Sequence, residues 1–385
     1  MSSIKEGKGP LEGLKVLDLS RFLPGPYCTM LLADLGADVI MIEQKSGSSL
    51  GGRRIEFYIF RNKRSIHLDL KNDRGRQLFY RLANTSDVIV EGFRPGVAEK
   101  LGIDYLSIKK VNKRMIYCSI SGFGQSGPYR NRVGHDINYI ALAGLLSVTG
   151  RKGQSPGIPG TQLGDIGGGI LGAFSILAAL LAREKTGEGQ YIDISMLDST
   201  VALNPVSYFE YFLRGKVFGQ GGYRLLGSSP CYNIYETKDG KYITIGALEP
   251  KFWANLCKIL GREDLIEKQN DGSDEVFNDL QQIFRSKTQA QWNELLGLKE
   301  VCYAPVLNLQ EATEDPQIRH RNMVIDHPAS LKTKLKEIGI VPKFSLTPGK
   351  IRHPSPVPGQ DTEEILAEIG IQPSEILQLK SEGVI

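Results

Sequence analysis

Cysteine is scarce and scattered in this chain. Cys28, Cys118, Cys231, Cys257 and Cys302 are odd in number and contain no CxxC pair, which argues against a disulfide framework and against a zinc site. Such usage fits a reducing compartment, and residues 1–6 lack the apolar core of a secretory signal, so a cytoplasmic location is expected. No apolar run reaches the roughly 18 residues of a membrane span, so no membrane partner is expected. An excess of one charge is also missing: 47 basic and 43 acidic residues leave a net charge of +4, too small to imply a nucleic-acid partner. The chain has no GxxxxGK(S/T) and no HExxH; residues 122–127, Gly-Phe-Gly-Gln-Ser-Gly, spell GxGxxG but not in the strand-to-helix turn that the dinucleotide fingerprint requires, and read as a sharp loop. No metal or redox cofactor is expected.

What is present is a long chain, 385 residues with 41% hydrophobic and 23% charged side chains, which points to a soluble protein of two domains, or of one large domain with a sizeable insertion. Residues 15–19 read as a buried strand. Pro24, Gly25 and Pro26 then turn the chain into an apolar-periodic helix over 27–35, closed by Gly36, and 38–43 is the next strand. The alternation continues with a helix at 74–84, a strand at 87–91, a short helix at 97–101, a strand at 115–121, a small-residue helix at 164–181 and a strand at 191–195. This pattern predicts an α/β fold with a parallel sheet. The domain division expected is a large domain over 1–200, a linker over 201–229, a small α+β domain over 230–325, and a segment, 326–385, returning to the large domain. The small domain opens with a hairpin turning at Asp239-Gly240, followed by helices at 250–260, 274–285 and 288–298. A proline-rich tail with Pro354, Pro356 and Pro358 precedes a closing helix at 362–370.

Two glycine-flanked segments carry the chemistry. Gly134-His135-Asp136-Ile137-Asn138-Tyr139 is followed thirty residues later by Asp165 within Leu163-Gly164-Asp165-Ile166-Gly167-Gly168-Gly169. A histidine and an aspartate on separate turns can address one carbon from opposite sides, as a reversible proton transfer requires. The alternatives are a satisfied core histidine and an N-cap aspartate. Glu249-Pro250 offers a third titratable group, or only a helix N-cap. A basic cluster, Arg53, Arg54, Arg61, Lys63, Arg64, Lys71, Arg74, Arg76 and Arg81, is opposed by Glu56, Asp69 and Asp73; it is a candidate phosphate site, with a solvated helix face as the alternative for Arg74, Arg76 and Arg81. Tyr208, Phe209, Tyr211 and Phe212 form an aromatic cluster that reads as core or as the wall of an acyl site.

Ordered motifs along most of the chain resemble the class III CoA-transferase (CaiB/BaiF) and alpha-methylacyl-CoA racemase superfamily. They include Leu32-Ala33-Asp34-Leu35-Gly36-Ala37-Asp38-Val39, Glu91-Gly92-Phe93-Arg94-Pro95-Gly96, Ser121-Gly122-Phe123-Gly124-Gln125-Ser126-Gly127-Pro128 and Gly187-Glu188-Gly189-Gln190-Tyr191-Ile192-Asp193. The resemblance implies a Rossmann-like large domain with a parallel sheet completed by the C-terminal segment, a small α+β domain, and two chains interlocked as a homodimer that shares its active sites. It implies CoA contacts at Leu68, Asp69, Leu70, Lys71, Gly92, Phe93, Arg94, Lys100, Gly134 and Tyr139. Lys45 replaces an arginine that related racemases often carry after the second strand. Asp165 resembles the carboxylate that transferases use as nucleophile and racemases as base. His135 and Glu249 resemble the racemase pair, and no glycine-rich loop of the formyl-CoA transferase kind lies near 245–250.

The resemblance therefore implies interconversion of (R)- and (S)-2-methylacyl-CoA by 1,1-proton transfer, with His135 and Glu249 serving one face, Asp165 the other, and the Asp136 amide holding the enolate oxygen. CoA is the substrate's handle, and no separate cofactor is implied. One alternative is a CoA-transferase working through an aspartyl anhydride at Asp165; another is a non-catalytic CoA-thioester-binding protein.

Overall fold

The computed structural model describes residues 9–45, 56–326 and 336–385; Arg53, Arg54 and residues 1–6 lie outside them. Short apolar runs between turn residues become strands covered on both faces. β1 (Lys15–Leu19), β2 (Asp38–Glu43), β3 (Lys63–His67), β4 (Val88–Glu91), β5 (Ile116–Ser121) and β6 (Tyr191–Ser195) form one sheet in the order β3-β2-β1-β4-β5-β6. Every neighbouring pair is parallel. This is the doubly wound order, in which the chain reverses direction across the sheet between β1 and β4. Alternate residues serve two cores: Leu17, Ile40 and Ile89 face one, and Val16, Val39 and Val88 the other.

The first core is closed by Leu78, Phe79 and Leu82 of the helix Asp73–Asn84 and, from the far end of the chain, by Ile365, Leu366, Ile376 and Leu379. These last four lie on the helices Thr362–Glu368 and Pro373–Ser381. The expectation that the C-terminal segment completes the parallel sheet is corrected here. The segment covers one face with helices, because its apolar residues recur at helical rather than alternating spacing. Its strand Lys336–Ile338 pairs with Val324–Asp326 in a separate two-stranded ribbon.

The basic cluster is corrected too. Arg61 is 3% exposed and pairs with Asp34 at 2.6 Å; Lys63 is 3% exposed and pairs with Asp18 at 3.0 Å, with further bonds to Thr29 and the Pro26 carbonyl. Arg64 bridges Asp38 to Glu368, Arg74 reaches Glu382, and Arg81 donates to the Ile369 carbonyl. These cations fasten the sheet edge and the closing helices rather than waiting for phosphate. Lys71 alone of the described cluster is exposed with no partner for its ammonium among the described residues.

The helix Leu163–Thr186 is longer than expected and, by length and composition alone, apolar enough to cross a membrane, although Asp165 and Arg183 bound its uncharged run. One face packs on the helix Pro24–Asp34. A Cβ on Gly169 would lie 2.8 Å from the Pro24 carbonyl oxygen, and one on Gly172 would lie 3.0 Å from Ile120. The small residues therefore let two backbones approach closely.

The chain divides into two compact units. The first takes Thr161–Leu203, Gln317–Ile385 and the described residues up to Ala143; the second takes Gly144–Gly160 and Asn204–Pro316. The second unit has its own antiparallel sheet, Tyr232–Glu236, Tyr242–Gly246 and Tyr303–Pro305, turning at Gly240 with φ +70°. Trp253, Phe284 and Trp292 fill its core. The stretch expected as a linker contains the helix Pro205–Arg214. Its Phe209, Tyr211 and Phe212 are exposed and only Glu210 is buried, so the aromatic cluster is not core.

Candidate active site

The carboxyl ends of neighbouring strands place most of the expected CoA contacts along one rim. Lys45 follows β2, residues 68–71 follow β3, and Gly92, Phe93 and Arg94 follow β4. In doubly wound folds ligands bind beyond these ends, beside the point where strand order reverses. Lys45, Lys71, Gly92, Arg94 and Lys100 are exposed there. Leu68 and Leu70 are not: their side chains are 1% and 4% exposed and belong to the core. Asp69 uses its amide on the Val384 carbonyl and its carboxylate on the Lys71 amide. Contact from Leu68 or Leu70 is therefore limited to backbone.

The His135 turn is fixed by its neighbours. Asn138 accepts the His135 N–H at 3.0 Å, and the Tyr139 hydroxyl donates to the Gly134 carbonyl at 2.6 Å. The Tyr139 ring meets Phe123 edge-on at 5.1 Å, tying the turn to the loop after β5. A Cβ on Gly122 or Gly134 would sit 2.6 or 2.9 Å from Tyr139, so both positions require glycine by close approach. Tyr139, expected at CoA, is 5% exposed with its hydroxyl committed, and acts as a brace instead.

Asp136 joins the two turns. Its carboxylate Oδ1 accepts the amides of Gly164 at 2.7 Å and Asp165 at 3.1 Å, satisfying donors that the start of the helix Leu163–Thr186 leaves free. The N-cap position, Gln162, makes no side-chain bond to these amides. Asp165 is thus not the cap: it lies in the first turn and its own carboxylate is left for chemistry. A Cβ on Gly164 would lie 3.1 Å from that same Oδ1 and 3.0 Å from the Thr200 hydroxyl. The capping role of the Asp136 side chain was missed by sequence reasoning, although a carboxylate directly after His135 was its signal. The Asp136 amide, first in the helix Asp136–Leu142, has no acceptor among the described residues.

Burial and the Asp136 charge push the Asp165 carboxyl up to about 6, against an opposing pull from His135. The same surroundings push the Tyr139 phenol up to about 12, first by burial and then by Asp165 and Asp136. His135 is exposed. The structure thus groups Gly134, His135, Asp136, Tyr139 and Asp165. Glu249 belongs to the second unit, where it occupies the N-cap of the helix Pro250–Leu260, makes no cap bond with its side chain and is exposed. Among the described residues no cluster of His, Cys, Asp and Glu has the makings of a metal site.

Comparison with known proteins identifies the family. Residues 11–362 match CoA-transferase family III. Human alpha-methylacyl-CoA racemase is 37% identical over 97% of this chain and 97% of its own. Human succinyl-CoA:glutarate CoA-transferase is 33% identical over 96% of this chain and 87% of its own. Among solved structures, a CAIB/BAIF family protein from Brucella suis superposes with a TM-score of 0.82 at 29% identity, covering 94% of this chain and 99% of that one. The chain belongs to CoA-transferase family III, the CaiB/BaiF family.

Proposed function

We propose that this chain is a racemase that interconverts (R)- and (S)-2-methylacyl-CoA thioesters by two-base proton transfer. The observation that carries the reading is the Asp136 brace, which holds the His135 turn against the Asp165 helix, where burial first and the Asp136 charge second raise the Asp165 carboxyl to about 6. A carboxylate with a raised pKa is a stronger base when ionised and still ionised at neutral pH. The carbon acid beside a thioester carbonyl lies on the order of a dozen pKa units above such a base, at about 1.36 kcal/mol each. Stabilisation of the enolate oxygen must close much of that gap, and a single aimed donor contributes roughly 3 kcal/mol. The unpartnered Asp136 amide is that donor in this reading. Asp165 removes the α-proton from one enantiomer, His135 delivers a proton to the opposite face, and the reverse reaction exchanges their roles. Glu249 of a second copy in an interlocked homodimer assists His135, by the resemblance of Glu249-Pro250 to the racemase motif. CoA bound along the strand ends positions the α-carbon, so remote binding energy serves the proton transfer.

A second reading is supported by the closeness of the transferase relatives. In it the Asp165 carboxylate attacks the thioester carbonyl, the C–S bond breaks, CoA leaves as thiolate, and an acyl-aspartyl anhydride forms. The thiolate then attacks the aspartyl carbonyl, releasing the first acid as its carboxylate and leaving an aspartyl thioester. A second carboxylate attacks that thioester to form a new anhydride and expel CoA thiolate, and the thiolate attacks the second acid's carbonyl, giving the new acyl-CoA and the free Asp165 carboxylate. One experiment separates the two. One enantiomer of a 2-methylacyl-CoA is incubated in deuterated water without added acid. The racemase reading expects α-deuterium together with loss of optical purity, and His135→Ala should abolish most turnover. An unexchanged thioester that turns over only with added carboxylate, undisturbed by His135→Ala, would sink it in favour of the transferase.

A further inference from the structure

We propose that a cavity on the tyrosine-bearing face of β4, β5 and β6 is a second small-molecule site, built for a small organic carboxylate. The cavity encloses about 310 Å³, at the lower end of the range for small ligands. Its floor is Glu91, 3% exposed, which accepts the Phe93 amide at 2.6 Å, and Ser119, whose hydroxyl accepts from Tyr191 at 3.0 Å. Tyr117 and Tyr191 rings, with centroids 5.9 Å apart, form an apolar wall. Gln125 lines the other side; its backbone is pinned to Asp193, yet its side-chain Nε2 is buried with no acceptor among the described residues. Arg94 and Arg130 stand at the mouth, and neither has an ion-pair partner among the described residues.

Unmet donors therefore outnumber unmet acceptors around this space. Besides Glu91, two acidic residues line it: Asp104, whose carboxylate spends its acceptor positions capping the amides of Leu106 and Ser107 but keeps its charge, and Glu99; Arg94 and Arg130 match these two charges. Burial pushes the Glu91 carboxyl up to about 7, against the Ser119 and Phe93 bonds, so at neutral pH it is in part a neutral donor. A carboxylate offers two oxygens with about four acceptor positions, enough for a guanidinium fork, the Gln125 amide and an acid proton. The carbon body then rests on the tyrosine wall. None of His135, Asp136 and Asp165 lines the cavity, and of the residues expected at CoA only Arg94 does. The cavity is thus not the proton-transfer centre.

The test is calorimetric titration of the full chain with benzoate, with and without saturating CoA, and separately with inorganic phosphate. Benzoate is expected to bind one to one both with and without CoA, since only Arg94 is common to the two sites, and more tightly than phosphate. Arg130→Ala and Gln125→Leu should each weaken it about tenfold or more, the usual consequence of losing a charged or buried hydrogen bond, while CoA binding is unchanged. No binding up to about 10 mM benzoate, displacement of benzoate by CoA, tighter phosphate binding, or indifference to both substitutions would each overturn the proposal. Asp165→Asn should retain benzoate binding, so this proposal and the proton-transfer reading fail independently.

Discussion

Asp136 shows how much one carboxylate can decide. It caps the neighbouring helix and raises the pKa of the base beside it, so its substitution separates two effects. Asp136→Asn keeps an acceptor for the Gly164 amide but removes the charge; the acid limb of the exchange rate, expected near pH 6 in the parent, should move to lower pH. An unmoved limb would mean that Asp165 is not the group titrating. Asp165 itself carries a stability cost. Its folded pKa, about 6, lies above its ordinary 3.8, so the native state binds the proton more tightly. The penalty is complete above pH 6, shrinks as pH falls from 6 towards 3.8, and is gone below. The shift of about two units is worth at most about 3 kcal/mol, and partial exposure reduces this to about 1–2 kcal/mol. Asp165→Asn should therefore raise the urea midpoint at pH 7.5 but not at pH 4, while abolishing exchange. His135 and Asp165 were legible in the sequence from their glycine-flanked turns; the bracing roles of Asp136 and Tyr139 were not, because a side chain's partner thirty residues away leaves no local pattern.

The strands at 15–19, 38–43 and 191–195 could be read from the sequence without error in their limits, since short runs bounded by turns have few other uses. β3 could not. Lys-Arg-Ser-Ile-His has no apolar run to announce a strand, its Lys63 and Arg64 reading as part of a phosphate-binding cluster, and it is a strand because Asp18, Asp38 and Glu368 take its charges. A charged edge strand also discourages pairing with another chain. The helix Leu163–Thr186 was legible as a helix from its small and apolar residues, though not in its full length, and it is buried only along its glycine face: Phe174 and Leu181 are exposed. Gly169→Ala tests what those glycines do. By intrinsic preference alanine favours a helix by about 1 kcal/mol over glycine, but its methyl would meet the Pro24 carbonyl oxygen at 2.8 Å. Net destabilisation of about 1–3 kcal/mol is expected from overpacking, read by thermal unfolding. A neutral or stabilised variant would show that the two helices can part without cost.

At the scale of the molecule, the first unit gathers three separated stretches of chain around one sheet. Two domains were expected from length alone; that residues 144–160 join the second unit was beyond the reach of composition. Ile365, Leu366, Ile371, Ile376, Leu379 and Val384 are all buried against the sheet face that carries Leu17 and Ile89. Six such side chains at about 1.5–3 kcal/mol each match or exceed the about 5–15 kcal/mol that holds a typical domain. Removal of residues 362–385 should leave the first unit unfolded, with loss of the cooperative transition in calorimetry; a soluble, cooperatively melting truncation would show that the closing helices are dispensable. Their position has a consequence for biosynthesis. A ribosome adding about 5–20 residues per second delivers these helices tens of seconds after the strands they shelter. Throughout that interval the nascent sheet keeps one oily face open, so newly made chains depend on holdase chaperones more than their final stability suggests.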